Sequence, residues 1–102
     1  MKKDTCVLTN VIETELDLIK RHIHVFKILK EKQPLGINKL SEITKYPKHM
    51  IRYSLRILEQ DKLIEPSPKG AITAKDASVN MLIFKKSLDK IGKTIDELKK
   101  DS

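Results

Sequence analysis

Two runs of regularly spaced apolar residues constrain the fold of this chain more than any other feature. Each run repeats at intervals of 4, 3, 4 and 3 residues, the spacing that places side chains on one face of an α-helix. The first run is Ile12, Leu16, Ile19, Ile23 and Phe26, and the second is Ala77, Met81, Phe84, Leu88 and Ile91. The sequence therefore predicts two long amphipathic helices, one towards each end of the chain, each with an apolar face that must be buried.

Capping residues and prolines predict where these helices begin and end. Residues 1–9 are predicted to be a flexible tail, and Asn10 can cap the first helix. That helix should end near Lys32, because Pro34 disfavours helical geometry at the residue before it. Gly92 is placed to end the second helix, and a last short helix should follow it.

Two shorter helices are predicted in the middle of the chain. Asn38 can cap a helix over residues 39–44, in which Leu40 is buried. Pro47 suits the start of a helix over residues 48–60, because its fixed φ is already helical. The two helices are therefore joined by a tight turn of about three residues.

A β-hairpin is predicted directly after the third helix. Two prolines and a glycine in residues 66–70 separate the short apolar runs 63–65 and 71–73, which is typical of a hairpin with a compact loop. The link Leu35–Ile37 could add one rung to this sheet. Thr73 can cap the helix that follows.

Positive charge is concentrated in the middle of the chain. The formal net charge is +7, and residues 20–60 carry +7, against −2 for residues 1–19 and +2 for residues 61–102. A basic centre of this kind is typical of a protein that binds a polyanion, such as a nucleic acid. A lysine-rich solvated surface with no special purpose would give the same count.

Several classes of function are disfavoured by composition. With four aromatic side chains and no tryptophan, the chain lacks the stacking platforms of single-stranded nucleic-acid binders. The chain has no phosphate-cradling glycine loop and no nucleophile motif, so we expect no enzyme and no cofactor. We also expect no metal site, because His22 and His24 lie on different faces of one helix. One cysteine, no long apolar run and no signal-peptide pattern predict a cytoplasmic protein that does not enter membranes.

The central region resembles the winged helix-turn-helix transcription regulators, including the small archaeal and bacterial ones. The resemblance covers about residues 20–75 and is carried by Ile37-Asn38-Lys39-Leu40-Ser41-Glu42-Ile43-Thr44, by Pro47–Ile51, and by Leu55, Leu58-Glu59 and Leu63-Ile64-Glu65. It implies a mainly α fold, with a three-helix core, a short β-hairpin wing, an extended N-terminal helix and C-terminal helices. One departure is that Lys62 stands where the family often has glycine.

The resemblance also implies which residues contact double-stranded DNA. Helix 48–60 would enter the major groove, and the wing at 66–70 would lie on the backbone or in the minor groove. Arg52 could bind guanine with two hydrogen bonds, whereas Arg56 would meet the backbone or pair with Glu59 or Gln60. The predicted DNA-contacting residues are Lys39, Lys45, Lys48, His49, Met50, Arg52, Tyr53, Arg56 and Lys69.

The apolar runs outside this region predict a homodimer, although plain core packing within one chain is an alternative. A dimer would present two recognition helices about one turn of DNA apart. The predicted dimerisation residues are Ile12, Leu16, Ile19, Met81, Phe84, Leu88, Ile91 and Ile95. Residues 10–75 would then be the DNA-binding domain and residues 76–102 a dimerisation extension.

These features together predict a prokaryotic, sequence-specific, double-stranded-DNA-binding transcription regulator. The alternative is a winged helix that serves as a protein-interaction or assembly module. The operator, the regulated genes and any small-molecule effector are not specified by the sequence.

Overall fold

The computed structural model of the protein describes residues 6–102, and residues 1–5 of the predicted tail lie outside the described residues. Over residues 6–102 the fold is mainly helical, with four α-helices and one two-stranded antiparallel sheet. In chain order the elements are α1 (Val7–Lys32), α2 (Ile37–Thr44), α3 (Lys48–Gln60), β1 (Ile64–Ser67), β2 (Gly70–Thr73) and α4 (Ala77–Asp101). No helix within residues 6–102 is long and apolar enough to cross a membrane.

The hydrophobic core lies where the second half of α1, α2, α3 and the hairpin meet. Its buried apolar residues are Val25, Phe26, Leu29, Leu35, Leu40, Ile51, Leu58, Leu63, Ile64, Ala71 and Ala77. Each large aliphatic or aromatic side chain buried there contributes about 1.5–3 kcal/mol to folding. Every buried side-chain nitrogen or oxygen within the described residues has a hydrogen-bond partner.

The α3 helix has the predicted bounds, and its end is held by a specific turn. The backbone N–H of Leu63 donates to the carbonyl of Leu58 at 2.9 Å, and that of Lys62 donates to Glu59 at 2.9 Å. Lys62 takes a left-handed conformation with φ of 56°, the position that glycine occupies in many such helix ends. The chain therefore makes the turn into β1 without glycine, at some cost in backbone strain.

The hairpin is tighter than the sequence predicts. β1 pairs with β2 so that Ser67 lies opposite Gly70, which leaves Pro68 and Lys69 as a two-residue turn in place of the predicted five-residue loop. Gly70 has φ of +130°, and a Cβ there would lie 2.5 Å from the carbonyl carbon of Leu35, so no other residue fits.

The predicted extra rung of the sheet is confirmed. Leu35 and Ala71 exchange backbone hydrogen bonds of 3.2 and 2.8 Å in an isolated antiparallel bridge. The link between α1 and α2 is thereby fixed against β2.

Three predicted helix caps are wrong. α1 begins at Val7, so residues 7–9 of the predicted tail are helical and Asn10 lies inside the helix. α2 begins at Ile37 after Gly36, which leaves Asn38 inside the helix. Thr73 does not cap α4, since its hydroxyl donates to Oε1 of Gln33 at 3.1 Å.

The prediction that Gly92 ends a helix is also wrong. α4 continues through Gly92 to Asp101, so the two predicted C-terminal helices are one. One glycine inside a helix costs only about 1 kcal/mol relative to alanine. The apolar run stays in phase on both sides of it, with Leu88 and Ile91 before and Ile95 and Leu98 after.

Candidate nucleic-acid interface

The turn between α2 and α3 sets the angle at which α3 leaves the core. Lys45 takes a left-handed conformation with φ of 69°, and its N–H donates to the Ser41 carbonyl at 2.8 Å. The Ser41 hydroxyl donates to the carbonyl of Tyr46 at 2.6 Å. The Tyr46 hydroxyl lies 3.2 Å from Nδ1 of His24, so the turn is also tied to α1. Pro47 then begins α3.

The exposed face of α3 carries most of the predicted DNA-contacting residues. Ile51 and Leu58 are buried in the core, and the positions opposite them are exposed. The exposed predicted residues on α3 are Lys48, His49, Arg52, Tyr53 and Arg56. Lys48, Arg52 and Arg56 follow one another at intervals of four residues, so the structure brings these cations onto neighbouring turns.

The cations of this face are not neutralised by acidic neighbours. Across residues 6–102 the sole ion pair joins Lys39 and Glu42 at 3.7 Å, so Arg56 is not paired with Glu59. The first turn of α3 contains no acidic residue. The partial positive charge of a helix N-terminus therefore adds to the charge of Lys48.

Met50 lies on the side of α3 that faces α1, and it is half-buried. Together with Tyr46 it lines an open hollow whose other wall is formed by Leu18, Lys20 and Arg21 of α1. Its thioether is therefore further from the exposed cationic face than the other predicted α3 residues.

The sequence interpretation missed Arg21, which connects α1 to α3. Its Nε–H donates to the hydroxyl of the fully buried Ser54 at 2.9 Å, and Nδ1 of His22 lies 2.7 Å from the same hydroxyl. Its guanidinium carbon is 5.9 Å from the centre of the Tyr53 ring. The only sequence signal is a serine at a core position of α3, which needs polar partners when it is buried.

The Ser54 hydroxyl lies between Arg21 and a His22 whose charged form is disfavoured. Burial of the imidazole, with the nearby charge of Arg21 as a second cause, lowers the pKa of His22 below its ordinary value of 6.5. Because Ser54 accepts from Arg21, we assign its own proton to Nδ1 of a neutral His22. The three side chains thus form a hydrogen-bonded link that holds α3 on α1.

The remaining predicted DNA-contacting residues lie outside α3. Lys39 is on α2 and Lys45 is in the α2–α3 turn, while Lys69 is at the tip of the hairpin, and all three are exposed. A hydrogen bond closes the hairpin tip, since the Ser67 hydroxyl donates to the carbonyl of Gly70 at 2.6 Å. Of these three lysines only Lys39 is in an ion pair within the described residues.

The exposed face of α3 is cationic. Within residues 6–102 no cluster of three or more histidine, cysteine or acidic side chains is placed to hold a metal ion. No family model matches this chain, and no curated protein sequence matches it.

The predicted dimerisation residues divide into two groups. Met81 packs against the core, and Ile19 and Phe84 are half-buried at the edge of a groove between α1 and α4. The others are exposed in the single chain: Ile12, Leu16, Leu88, Ile91 and Ile95. The apolar runs predicted from the sequence are therefore only partly buried within one chain.

Proposed function

We propose that this protein is a sequence-specific double-stranded-DNA-binding transcription regulator that acts as a homodimer. In this proposal α1, α2, α3 and the hairpin form a winged helix-turn-helix, with α3 as the recognition helix and Pro68–Lys69 as the tip of the wing. The protein acts by binding, and the alternative is a winged helix that binds another protein through the same face.

One observation carries the proposal: the exposed face of α3 presents Lys48, Arg52 and Arg56 without acidic partners. The major groove of DNA admits an α-helix, and residues in its first turns reach base edges. Arginine forms paired hydrogen bonds with guanine, and lysines on the flanks neutralise phosphates.

The exposed apolar residues of α1 and α4 support the homodimer. Monomeric proteins rarely expose contiguous apolar patches of more than a few hundred Å². A two-fold dimer would also double the number of phosphate contacts, which a single small domain cannot supply in large number. Leu88→Asp places a charge on the α4 run, and sedimentation should then show monomers.

The salt dependence of binding to random-sequence duplex DNA tests the main proposal. We expect affinity to fall steeply as salt is raised, because each neutralised phosphate adds about 0.9 to the slope of log K against log salt. In the double variant Arg52→Ala/Arg56→Ala only Arg56 is assigned to the backbone, so the slope should fall by about 1 for each protomer bound.

A variant with the same loss of charge provides the control. Lys99→Ala/Lys100→Ala removes two positive charges from the end of α4 and should leave the slope unchanged. Equal losses for the two double variants would mean that net charge alone drives binding. No binding at low salt by the folded protein would overturn the regulator and leave the protein-interaction module.

Base readout is tested separately with a duplex selected from a random library. Arg52→Ala should weaken binding to the selected duplex by about 1–3 kcal/mol and hardly affect random DNA, since it removes a base contact. Lys69→Ala should weaken both alike, because a wing lysine contacts phosphate. If both variants show the same losses of affinity for the selected duplex and for random DNA, the different roles assigned to Arg52 and Lys69 are wrong.

A further inference from the structure

A groove of about 520 Å³ lies between α1 and α4, above the end of α3. Its lining is mainly apolar and includes Ile19 and Ile23 of α1, Ile57 of α3, and Phe84, Leu88 and Ile91 of α4. We call it the α1–α4 groove. On α4 it extends from Asn80 to Ile91, a length of about 17 Å at 1.5 Å per residue.

The first part of α1 has an apolar surface with nothing to bury it in the single chain. We call Val7–Leu18 the N-terminal arm; Val7 is 82% exposed, Leu8 89% and Val11 71%. At 100° per residue, its apolar positions cover about half of the helix circumference. A helix with so broad an apolar face is stable in water only when another surface covers it.

The arm and the groove match in length and in charge. The arm is also about 17 Å long, from Val7 to Leu18. It carries three acidic residues, Glu13, Glu15 and Asp17, and no basic residue. Residues 85–93 of α4, which supply Ser87, Leu88 and Ile91 to the groove lining, contain four lysines and one aspartate, a net charge of +3, with these charged side chains outside the lining itself. Opposite charges of this kind select one pairing of surfaces over others.

The arm cannot fill the groove of its own chain. α1 is one unbroken helix from Val7 to Lys32, so Val7 lies about 18 Å along the helix axis from Ile19, where the groove begins. An arm that enters a groove must therefore come from another molecule.

We propose that the N-terminal arm of one protomer occupies the α1–α4 groove of a second copy, and that the exchange is reciprocal. Two arms then fill two grooves around a two-fold axis, an arrangement in which each protomer contributes the same surfaces. This rests on the homodimer of the proposed function and specifies which helices meet.

The single cysteine of the chain is a probe for this contact. Cys6 is exposed directly before the arm, and hydrogen bonds from the Thr9 backbone and hydroxyl lower the pKa of its thiol, which favours reaction with maleimides. Asn80→Cys places a second thiol at one end of the groove, and Thr94→Cys places one just beyond the other end. With a short bismaleimide reagent, one of these variants should give covalent dimers that disappear when Cys6→Ser is added.

The matched control is Asp89→Cys, on the same stretch of α4 but outside the groove, which should give no covalent dimer. Covalent dimers that persist with Cys6→Ser would show that α4 pairs with α4, which overturns the proposal. If sedimentation shows a dimer but no groove variant is cross-linked, the proposed arm–groove contact is also overturned. The proposed homodimer would still stand in that case. A monomer at all concentrations would overturn both, and the salt titration with DNA would still stand on its own.

Charge reversal gives an independent test that does not disturb the core, because all the residues changed are exposed. Glu13→Lys/Glu15→Lys/Asp17→Lys should raise the dimer dissociation constant by about tenfold or more. Adding Lys85→Glu/Lys86→Glu/Lys90→Glu should restore it, whereas adding Lys99→Glu/Lys100→Glu should not. The assigned contact would be contradicted if the substitutions at Lys85, Lys86 and Lys90 did not restore the dimer, or if those at Lys99 and Lys100 restored it equally well.

Discussion

The centre of the molecule and its two helical ends differ in how far their apolar residues are buried. Between Val25 and Ala77 the large aliphatic core residues of α1, α3 and the hairpin are buried and pack against one another. In the N-terminal arm and along α4 the same kinds of residue are exposed, among them Leu8, Val11, Ile83 and Leu98. The central region therefore buries its apolar residues within one chain, whereas the ends leave theirs exposed.

The largest expected effect separates these two regions by a pair of matched substitutions. Leu29 is fully buried and Leu98 is 59% exposed. Leu29→Ala should lower the free energy of unfolding by about 2–5 kcal/mol, since it leaves a cavity in the core. Leu98→Ala should change it by less than about 0.5 kcal/mol in the single chain, because the side chain is largely exposed there. Urea unfolding measures both, and a large loss for Leu98→Ala would mean that the end of α4 is buried within one chain.

The hydrogen-bonded link between α1 and α3 provides the next test. Ser54→Ala removes the shared partner of Arg21 and His22 and should cost about 1–3 kcal/mol, because it leaves a buried nitrogen unsatisfied. Ser87→Ala, on the exposed surface of α4, should be nearly neutral. A neutral Ser54→Ala in urea unfolding would mean that the link does not hold α3 in place.

The same link makes the central region sensitive to acid. Since the pKa of His22 is lowered in the folded protein, the unfolded chain binds a proton on His22 at a pH where the folded chain does not. Stability should be full above the ordinary pKa of 6.5 and should fall as the pH drops from 6.5 to the lowered pKa. Thermal unfolding at about pH 7.5 and about pH 5.5 should show this loss in the wild type and a smaller loss in His22→Gln. An equal loss in both would assign the acid sensitivity to other groups.

The elements that the sequence predicts correctly are those whose signals are local. Pro34 ends α1 and Pro47 begins α3, because each acts on its own backbone. Capping was predicted less well. Asn10 and Thr73 are good capping residues, but α1 begins at Val7, three residues before Asn10, and Gln33 accepts the Thr73 hydroxyl proton from a distant part of the chain.

The candidate site shows the same limit. The exposure of Lys48, Arg52 and Arg56 follows from the helical spacing of Ile51 and Leu58, so the sequence alone predicts it. The position of Arg21 cannot be predicted in this way, because its hydrogen bond to Ser54 joins residues 33 positions apart. Long-range polar contacts of this kind depend on how two helices pack, and one sequence carries no direct sign of that packing.

The smallest expected effects come from two positions, one in each region, where the residue type is poorly suited to the local backbone conformation. Lys62 has a left-handed φ of 56°, and Gly92 lies inside a helix, where an added Cβ would meet nothing within 4 Å. Each substitution should increase local stability by about 0.5–1 kcal/mol, Lys62→Gly because it relieves backbone strain and Gly92→Ala because alanine has the higher helix propensity. Because the exposed Lys62 joins α3 to β1, and both elements contribute core residues, Lys62→Gly should raise the urea midpoint of the whole protein.

Gly92→Ala should act only locally. It should slow hydrogen exchange of residues 93–101 in dilute protein and leave the urea midpoint unchanged, since the end of α4 can open without unfolding the core. A raised midpoint for Gly92→Ala would mean that α4 unfolds together with the core. The central region and the end of α4 would then be one cooperative unit within a single chain, and the exposed apolar run of α4 would need no partner to hold it in place.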